Sequence, residues 1–285
     1  MPFKMNGFFI GEKMAASEGV DLEWCIVEKI QIRNNKIKEF SRNYSSTIMR
    51  QADDCVEHVY RFAGNGAVDA WHSDDNSNPF GVAISAKPEP KTDVVFKIRN
   101  KVYSASVKMA GGVQLASGQG SSTAELFEAA ASRVPGAQKS KILKSIINEL
   151  KTMPTRLLSE SNKARILKEA KPKVIQEFIS GNKIIQDKSY EYWLKNNKEI
   201  LMESLLKYIQ EDADFLKSLV YEAMTGEISL KQFKGAVADS IISPKGFYII
   251  DDAYVNSILR KLKFDVRGKS RGGITGVAFR IDLKG

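Results

Sequence analysis

The amino-acid sequence predicts a mixed α/β fold, an α+β arrangement in which helices flank a sheet. Three observations lead there. Apolar residues recur at helical spacing across 46–62. Two short runs rich in Val, Ile, Phe and Tyr, at 92–98 and 102–109, flank a polar turn. A long, richly charged helical stretch at 139–234 then gives way to strand-like runs near the C-terminus. A period of 3.6 marks helices and a period of 2 marks strands, so a chain with both patterns in separate segments needs both kinds of element. With 285 residues, 43% of them hydrophobic and 27% charged, it is long enough to bury a proper core.

The first third is mixed. Residues 21–32 are an apolar-rich segment that suits helix or strand. The 46–62 segment places Ile48, Ala52, Cys55, Val56, Val59 and Tyr60 on one helical face, and Gly64-Asn65-Gly66 stops it. Residues 71–79, with Asp74-Asp75-Asn76-Ser77-Asn78, read as a polar loop, followed by a strand at 80–85 and the turn Lys87-Pro88-Glu89-Pro90. The run from Thr92 to Ile98 then passes through Arg99-Asn100-Lys101 into the run from Val102 to Met109, a hairpin of two strands. A glycine-rich loop at 110–120 leads to a helix opened by Ser121-Ser122-Thr123-Ala124-Glu125. Pro154 and Pro172 mark breaks in the helical stretch, and Gly181 and Gly226 mark ends. The last strands fall at 246–250, 263–267 and 276–283, the final two joined through Ser270-Arg271-Gly272-Gly273. Three regions follow: an α/β core at 1–135, a helical region at 136–240 and a basic C-terminal β element at 241–285.

Composition narrows the function classes. No apolar run approaches the roughly 20 residues that span a bilayer. The apolar start of the chain also meets Gly11-Glu12-Lys13 too soon for a secretory signal. The expected location is the cytoplasm, with no membrane partner. Cys25 and Cys55 stand outside any CxxC pair in apolar stretches, which predicts buried free thiols. Only His58 and His72 are available to a zinc site, and no GxSxG elbow supports a serine hydrolase.

The net charge of +9 is unevenly spread. Residues 1–132 hold 15 Lys/Arg against 16 Asp/Glu, and 189–259 hold 7 against 11. The surplus sits at 133–188, with 13 against 5, and at 260–285, with 8 against 2. Basic blocks attract polyanions by counterion release, and DNA is the expected partner. A solvated helix face that aids solubility is the competing reading. In the last block Arg260, Lys261, Lys263, Arg267, Lys269 and Arg271 interleave with Phe264, which suits a phosphate backbone or a groove. An edge kept from aggregating by its charges explains the same pattern.

The hairpin carries the chemistry. Asp93 starts one strand and Lys108 ends the next, and the turn between them brings these termini side by side. Ser106 and Lys108 are two apart and share a strand face. A carboxylate suits a hard divalent cation, and a lysine stabilises developing negative charge on a phosphate. The glycines of Gly111-Gly112 and Gly118-Gln119-Gly120 could cradle a phosphate or form a simple connection, since no Gly-Lys-Ser/Thr closes a Walker A loop. Trp71 and Tyr103 suit base stacking or core packing.

The order helix, paired strands, helix, with Thr92-Asp93-Val94-Val95 on the first strand and Ser106-Val107-Lys108 on the second, resembles the PD-(D/E)xK nuclease superfamily. The resemblance covers roughly residues 46–135. It implies a restriction-endonuclease-like mixed sheet flanked by helices, and a metal-dependent endonuclease that cleaves DNA phosphodiester bonds with Mg2+ or Mn2+. Asp93 would be a metal ligand and Lys108 the catalytic cation. Ser106 stands where the second acid belongs. Some members supply that acid from the following helix, where Glu125 and Glu128 lie three apart. Gln114, six residues past Lys108, matches a glutamine that some members carry near the active centre. Glu125 has a competing role in a Ser122–Glu125 capping box. Glu23 and Glu57 suit either a first-helix acid or surface charge. The alternatives are a catalytically inactive DNA-binding protein on the same fold and an assembly protein. A homodimer is a candidate assembly.

Overall fold

Leu22, Cys25, Ile26 and Ile30 follow the 3-4 spacing of a helix, and the segment left open between helix and strand is indeed helical: α1 spans Lys13–Arg33 and buries all four. The computed structural model describes residues 13–80, 90–110, 113–157, 203–204, 206–208, 211–271 and 274–283. The expected strand at 80–85 and the turn at 87–90 lie largely outside these residues, as does Gly111-Gly112. Helix α2 (Ser46–Ala63) matches the expected 46–62 segment. The Ser45 side chain caps it by accepting from the Ile48 N–H. Gly64 ends it at φ 59, with its N–H bonded to the Tyr60 carbonyl.

The mixed α/β class predicted from the sequence is the class observed. Strands β1 (Val68–His72), β2 (Val94–Ile98) and β3 (Lys101–Val107) form an antiparallel meander. Strand β4 (Val113–Gln119) belongs to a second sheet. Much later in the chain, β5 (Ser240–Ser243) lies parallel to β3, and β6 (Gly246–Ile249) pairs antiparallel with β5. The first sheet therefore runs β1-β2-β3-β5-β6. Strand alternation sends Val94, Phe96 and Ile98 of β2 and Tyr103, Ala105 and Val107 of β3 into one core with the apolar faces of α1 and α2. Both cysteines are free and buried in that core.

These elements belong to one compact unit, Met1–Gly112 with Leu230–Ile250. The second unit is Val113–Ser229 with Asp251–Gly285. It contains β4, the helices α3 (Gly120–Ser132), α4 (Pro135–Lys139), α5 (Lys141–Leu157), α6 (Ala213–Thr225) and α7 (Asp252–Ile258), and the strands β7 (Leu262–Arg271) and β8 (Ile274–Leu283). Its sheet is antiparallel in the order β4-β8-β7. Phe127 of α3, Leu143 and Leu150 of α5, Phe215 and Leu219 of α6 and Ile281 of β8 are all buried within it.

The division at 135 and 240 is thus not the one the fold makes. Strand pairing overrides chain order: β5 joins the first sheet from the far end of the chain, and β4 finds its partner in β8. The glycine-rich segment expected as a loop is mostly strand β4, because β8 satisfies its backbone. The polar loop expected from residue 71 starts later, since Trp71 and His72 end β1 and pair with Val95 and Val94. The helical stretch also ends earlier than Lys234, at Thr225, where Gly226 adopts a left-handed φ of 65 and caps α6.

Candidate active site

Asp93 is pinned by its own backbone. Its carbonyl accepts from the Ser73 N–H at 2.9 Å, and its N–H donates to the Ala105 carbonyl at 2.9 Å. The ladder thereby continues past the start of β2 and holds Asp93 between the ends of β1 and β3. Its carboxylate is oriented as well. Oδ2 accepts from the Val107 N–H at 2.7 Å and from the Ser106 hydroxyl at 3.1 Å. Oδ1 accepts no hydrogen bond from the described residues. The hairpin thus brings Asp93, Ser106 and Lys108 to one end of the first sheet. Ser106 is buried, and its hydroxyl serves Asp93.

Burial pushes the Asp93 carboxyl up, from 3.8 to about 6, and the negative charge of Glu23 pushes in the same direction. The Lys108 ammonium, the Val107 N–H and the Ser106 hydroxyl pull the other way. The site therefore holds two acids and one lysine close enough to feel one another. The backbone of Lys108 is fixed by its N–H on the Ile242 carbonyl at 2.8 Å. Two residues on, Gln51 of α2 accepts from the Ala110 N–H at 3.0 Å and holds the chain leaving β3.

Glu23 comes from α1, and a buried histidine holds it. His72 Nε2 lies 3.1 Å from Glu23 Oε2, and His72 Nδ1 accepts from the Asp74 N–H at 3.1 Å. The imidazole stacks on Trp24, with ring centroids 4.2 Å apart and planes 6° from parallel. The Arg42 guanidinium sits 4.7 Å from the Trp24 ring centroid and pairs with Asp21 at 3.8 Å.

Gln114 and Glu125 belong to the second unit. Gln114 lies on β4 opposite Asp282, and Glu125 is exposed on α3. That helix begins at Gly120, so Ser122 lies inside it and not at its cap, and the capping box fails for that reason. Glu128 pairs with Lys151 at 2.6 Å, and Glu57 with Arg61 on one exposed helix face. Tyr103 is a core residue packed against Phe62 and Phe247. Among the described residues, no group of three or more His, Cys, Asp or Glu stands close enough to hold a metal ion.

The C-terminal basic residues follow a register. Arg260 and Lys261 are exposed in the 3-10 turn Leu259–Lys261. Lys263, Arg267, Lys269 and Arg271 all stand at odd-numbered register positions of β7, which Asp265 also occupies. Lys263 is opposite Asp282 and Asp265 opposite Arg280, whereas Arg267, Lys269 and Arg271 lie opposite Ala278, Gly276 and Ile274. In register, Asp265 and Asp282 thus stand toward the base of the hairpin and Arg267, Lys269 and Arg271 toward its tip.

Sequence reasoning missed the role of His72 and left Glu23 open between a first-helix acid and surface charge. One signal was available: His72 is one of only two histidines and follows an apolar-alternating run. Searches of protein-family models, of curated proteins and of solved structures each found no match to this chain. No helix among the described residues is long and apolar enough to cross a membrane.

Proposed function

We propose that the chain is a divalent-metal-dependent nuclease acting on DNA, with its active centre at Asp93, Glu23 and Lys108. One observation carries the reading: Asp93 is fixed by Val107 and Ser106 through Oδ2 alone, with Oδ1 uncommitted beside a second carboxylate and a lysine. Two carboxylates suit Mg2+, which keeps several waters and binds few protein ligands. Asp93 and Glu23 would hold the ion, and Glu23 in this reading supplies the acid that Ser106 lacks. A bound divalent cation lowers the pKa of a water and neutralises charge on a phosphate.

The chain's own residues do the rest. The Val107 N–H and the Ser106 hydroxyl fix the rotation of the Asp93 carboxylate, so its free oxygen needs no reorganisation on binding. Lys108 offers its ammonium to the charge that builds on the phosphate oxygens. The basic residues of β7 would engage backbone phosphates and position the strand without reading its sequence. The order helix, antiparallel hairpin and mixed sheet of the first unit supports the resemblance to PD-(D/E)xK nucleases.

The test is cleavage of plasmid and single-stranded DNA with Mg2+ or Mn2+, wild type beside Asp93→Asn and Lys108→Ala. Metal-dependent cleavage lost in Asp93→Asn, and slowed on the order of 10²-fold in Lys108→Ala, is the expected result. No cleavage of any DNA form by wild type refutes the enzymatic reading. A specific feature favours the second reading, a DNA-binding protein without catalysis: the Ser106 hydroxyl replaces an acid and is committed to Asp93. Salt-sensitive DNA binding without cleavage would establish it.

A further inference from the structure

His72 is 3% exposed, and a histidine buried that deeply needs both ring nitrogens satisfied. Its Nδ1 accepts from the Asp74 N–H at 3.1 Å and so carries no proton. The proton of the neutral ring is therefore on Nε2, which donates to Glu23 Oε2 at 3.1 Å. Three constraints fix the ring in that pose. The backbone of residue 74 selects the tautomer, strand β1 fixes the Cα opposite Val94, and Trp24 clamps the plane.

The consequence falls on Glu23. One of its oxygens is held by the imidazole, and Oε1 accepts no hydrogen bond from the described residues. Asp93 has the same pattern, with Oδ2 held by two neutral donors and Oδ1 left over. Two carboxylates from different elements are thus each turned by a neutral donor on one oxygen and spare on the other. A tie between α1 and β1 alone would be met by any hydrogen-bonded pair. It gives no reason for a fixed tautomer acting on the acid whose charge reaches Asp93.

We propose that His72 is a positioning residue, whose Nε2–H turns Glu23 so that its free oxygen joins Asp93 as a ligand of the divalent cation. This rests on the cation-dependent reading of the site and adds the group that makes the second ligand competent. Donors of this kind, one bond removed from a metal, typically change metal affinity 10–100-fold when lost.

The experiment measures Mn2+ binding to the full chain without DNA, by titration calorimetry, for wild type, Asp93→Asn, His72→Phe and His72→Gln. Phenylalanine keeps the stack on Trp24 and removes the donor, while glutamine restores an N–H near the Nε2 position. The expected result is a loss of about 10–100-fold in Mn2+ affinity for His72→Phe, with His72→Gln recovering most of it. A folded His72→Phe that binds Mn2+ like wild type, while Asp93→Asn does not, overturns this inference and leaves the cation site standing. Wild type that binds no Mn2+ overturns both. The ring 15N signals of wild-type His72, with and without Mg2+, give a readout independent of any variant's folding. A neutral ring protonated at Nε2 in both conditions supports the proposal, and protonation at Nδ1 overturns it.

Discussion

Replacing Asp93 by asparagine should make the metal-free protein more stable at neutral pH. The carboxyl is pushed up from 3.8 to about 6, by burial first and by Glu23 second. At about 1.4 kcal/mol per pH unit, holding Asp93 ionised weakens folding by about 3 kcal/mol. Asp93 as a whole residue is of intermediate burial, so about 3 kcal/mol is an upper bound. Asparagine keeps an oxygen to accept from the Val107 N–H and the Ser106 hydroxyl, so the substitution removes the charge and leaves the bonds. Alanine removes both, leaves a buried N–H without a partner and should fall below asparagine by about 1–3 kcal/mol.

The sign with pH follows from the direction of the shift. Between 3.8 and about 6 the folded state binds a proton that the unfolded state does not, so this group's contribution improves as pH falls through that window. The stability gap between Asp93→Asn and wild type should be widest above pH 7 and should close as pH falls toward 4. Chemical denaturation at several pH values, with chelator present, measures it. Saturating Mn2+ should then reverse the order, since a ligand at 100 times its Kd stabilises wild type by about 2.7 kcal/mol and does little for the variant. An Asp93→Asn protein less stable than wild type at pH 7.5, or a gap that does not change with pH, refutes the reasoning.

Other outcomes follow from particular contacts. Glu222 is fully buried and accepts from the Ile228 and Ser229 N–H groups and the Ser229 hydroxyl, while its neighbour Arg133 also pairs with Glu227, so Glu222→Ala should cost about 1–3 kcal/mol in denaturant unfolding. Burial pushes the Cys25 and Cys55 thiols up to about 12, so neither should react with a disulfide reagent at pH 8 until the protein is denatured. Glu125→Gln should leave Mn2+ affinity unchanged in calorimetry, since Glu23 holds the second-acid role in this reading. Replacing Arg267, Lys269 and Arg271 by glutamate should reduce the slope of log DNA affinity against log salt by about 3, while the saturating cleavage rate stays near wild type.

What could be read from the sequence was what local geometry decides. Helix α2 was legible because Ile48, Ala52, Cys55, Val56 and Val59 report one face and Gly64 reports its end. The pairing of Asp93 with the Ser106–Lys108 segment was legible because a short turn fixes a hairpin register: once Ile98 faces Lys101, Val94 must face Ala105. The parallel neighbour β5 was not legible, because its partner is remote in sequence and its four residues carry no period of their own. Strand β4 was hidden for a related reason. Its Gly118 and small residues, between flanking glycines, look like a loop until β8 supplies the hydrogen bonds.

The second acid shows why a motif with a missing residue is hard to complete from sequence. With Ser106 in the acid's place, reasoning along the chain turns first to the next helix and Glu125 and leaves Glu23 and Glu57 undivided from surface charge, because spacing is the only coordinate a sequence offers. Charge interaction instead depends on distance, and the carboxylate whose charge reaches Asp93 comes from α1, which precedes the motif. Glu23 reads as an ordinary polar position on a helix that buries Leu22, Cys25, Ile26 and Val27 around it. What distinguishes it is a partner on another element. His72 is buried, fixed by the Asp74 N–H and aimed at Glu23, and a buried donor of that kind needs an acceptor in reach. The pair is mutually required, so disrupting either member should release the other. Glu23→Ala should therefore expose the cost of an unsatisfied His72 even without metal, while Glu125→Ala, on an exposed helix face, should cost almost nothing.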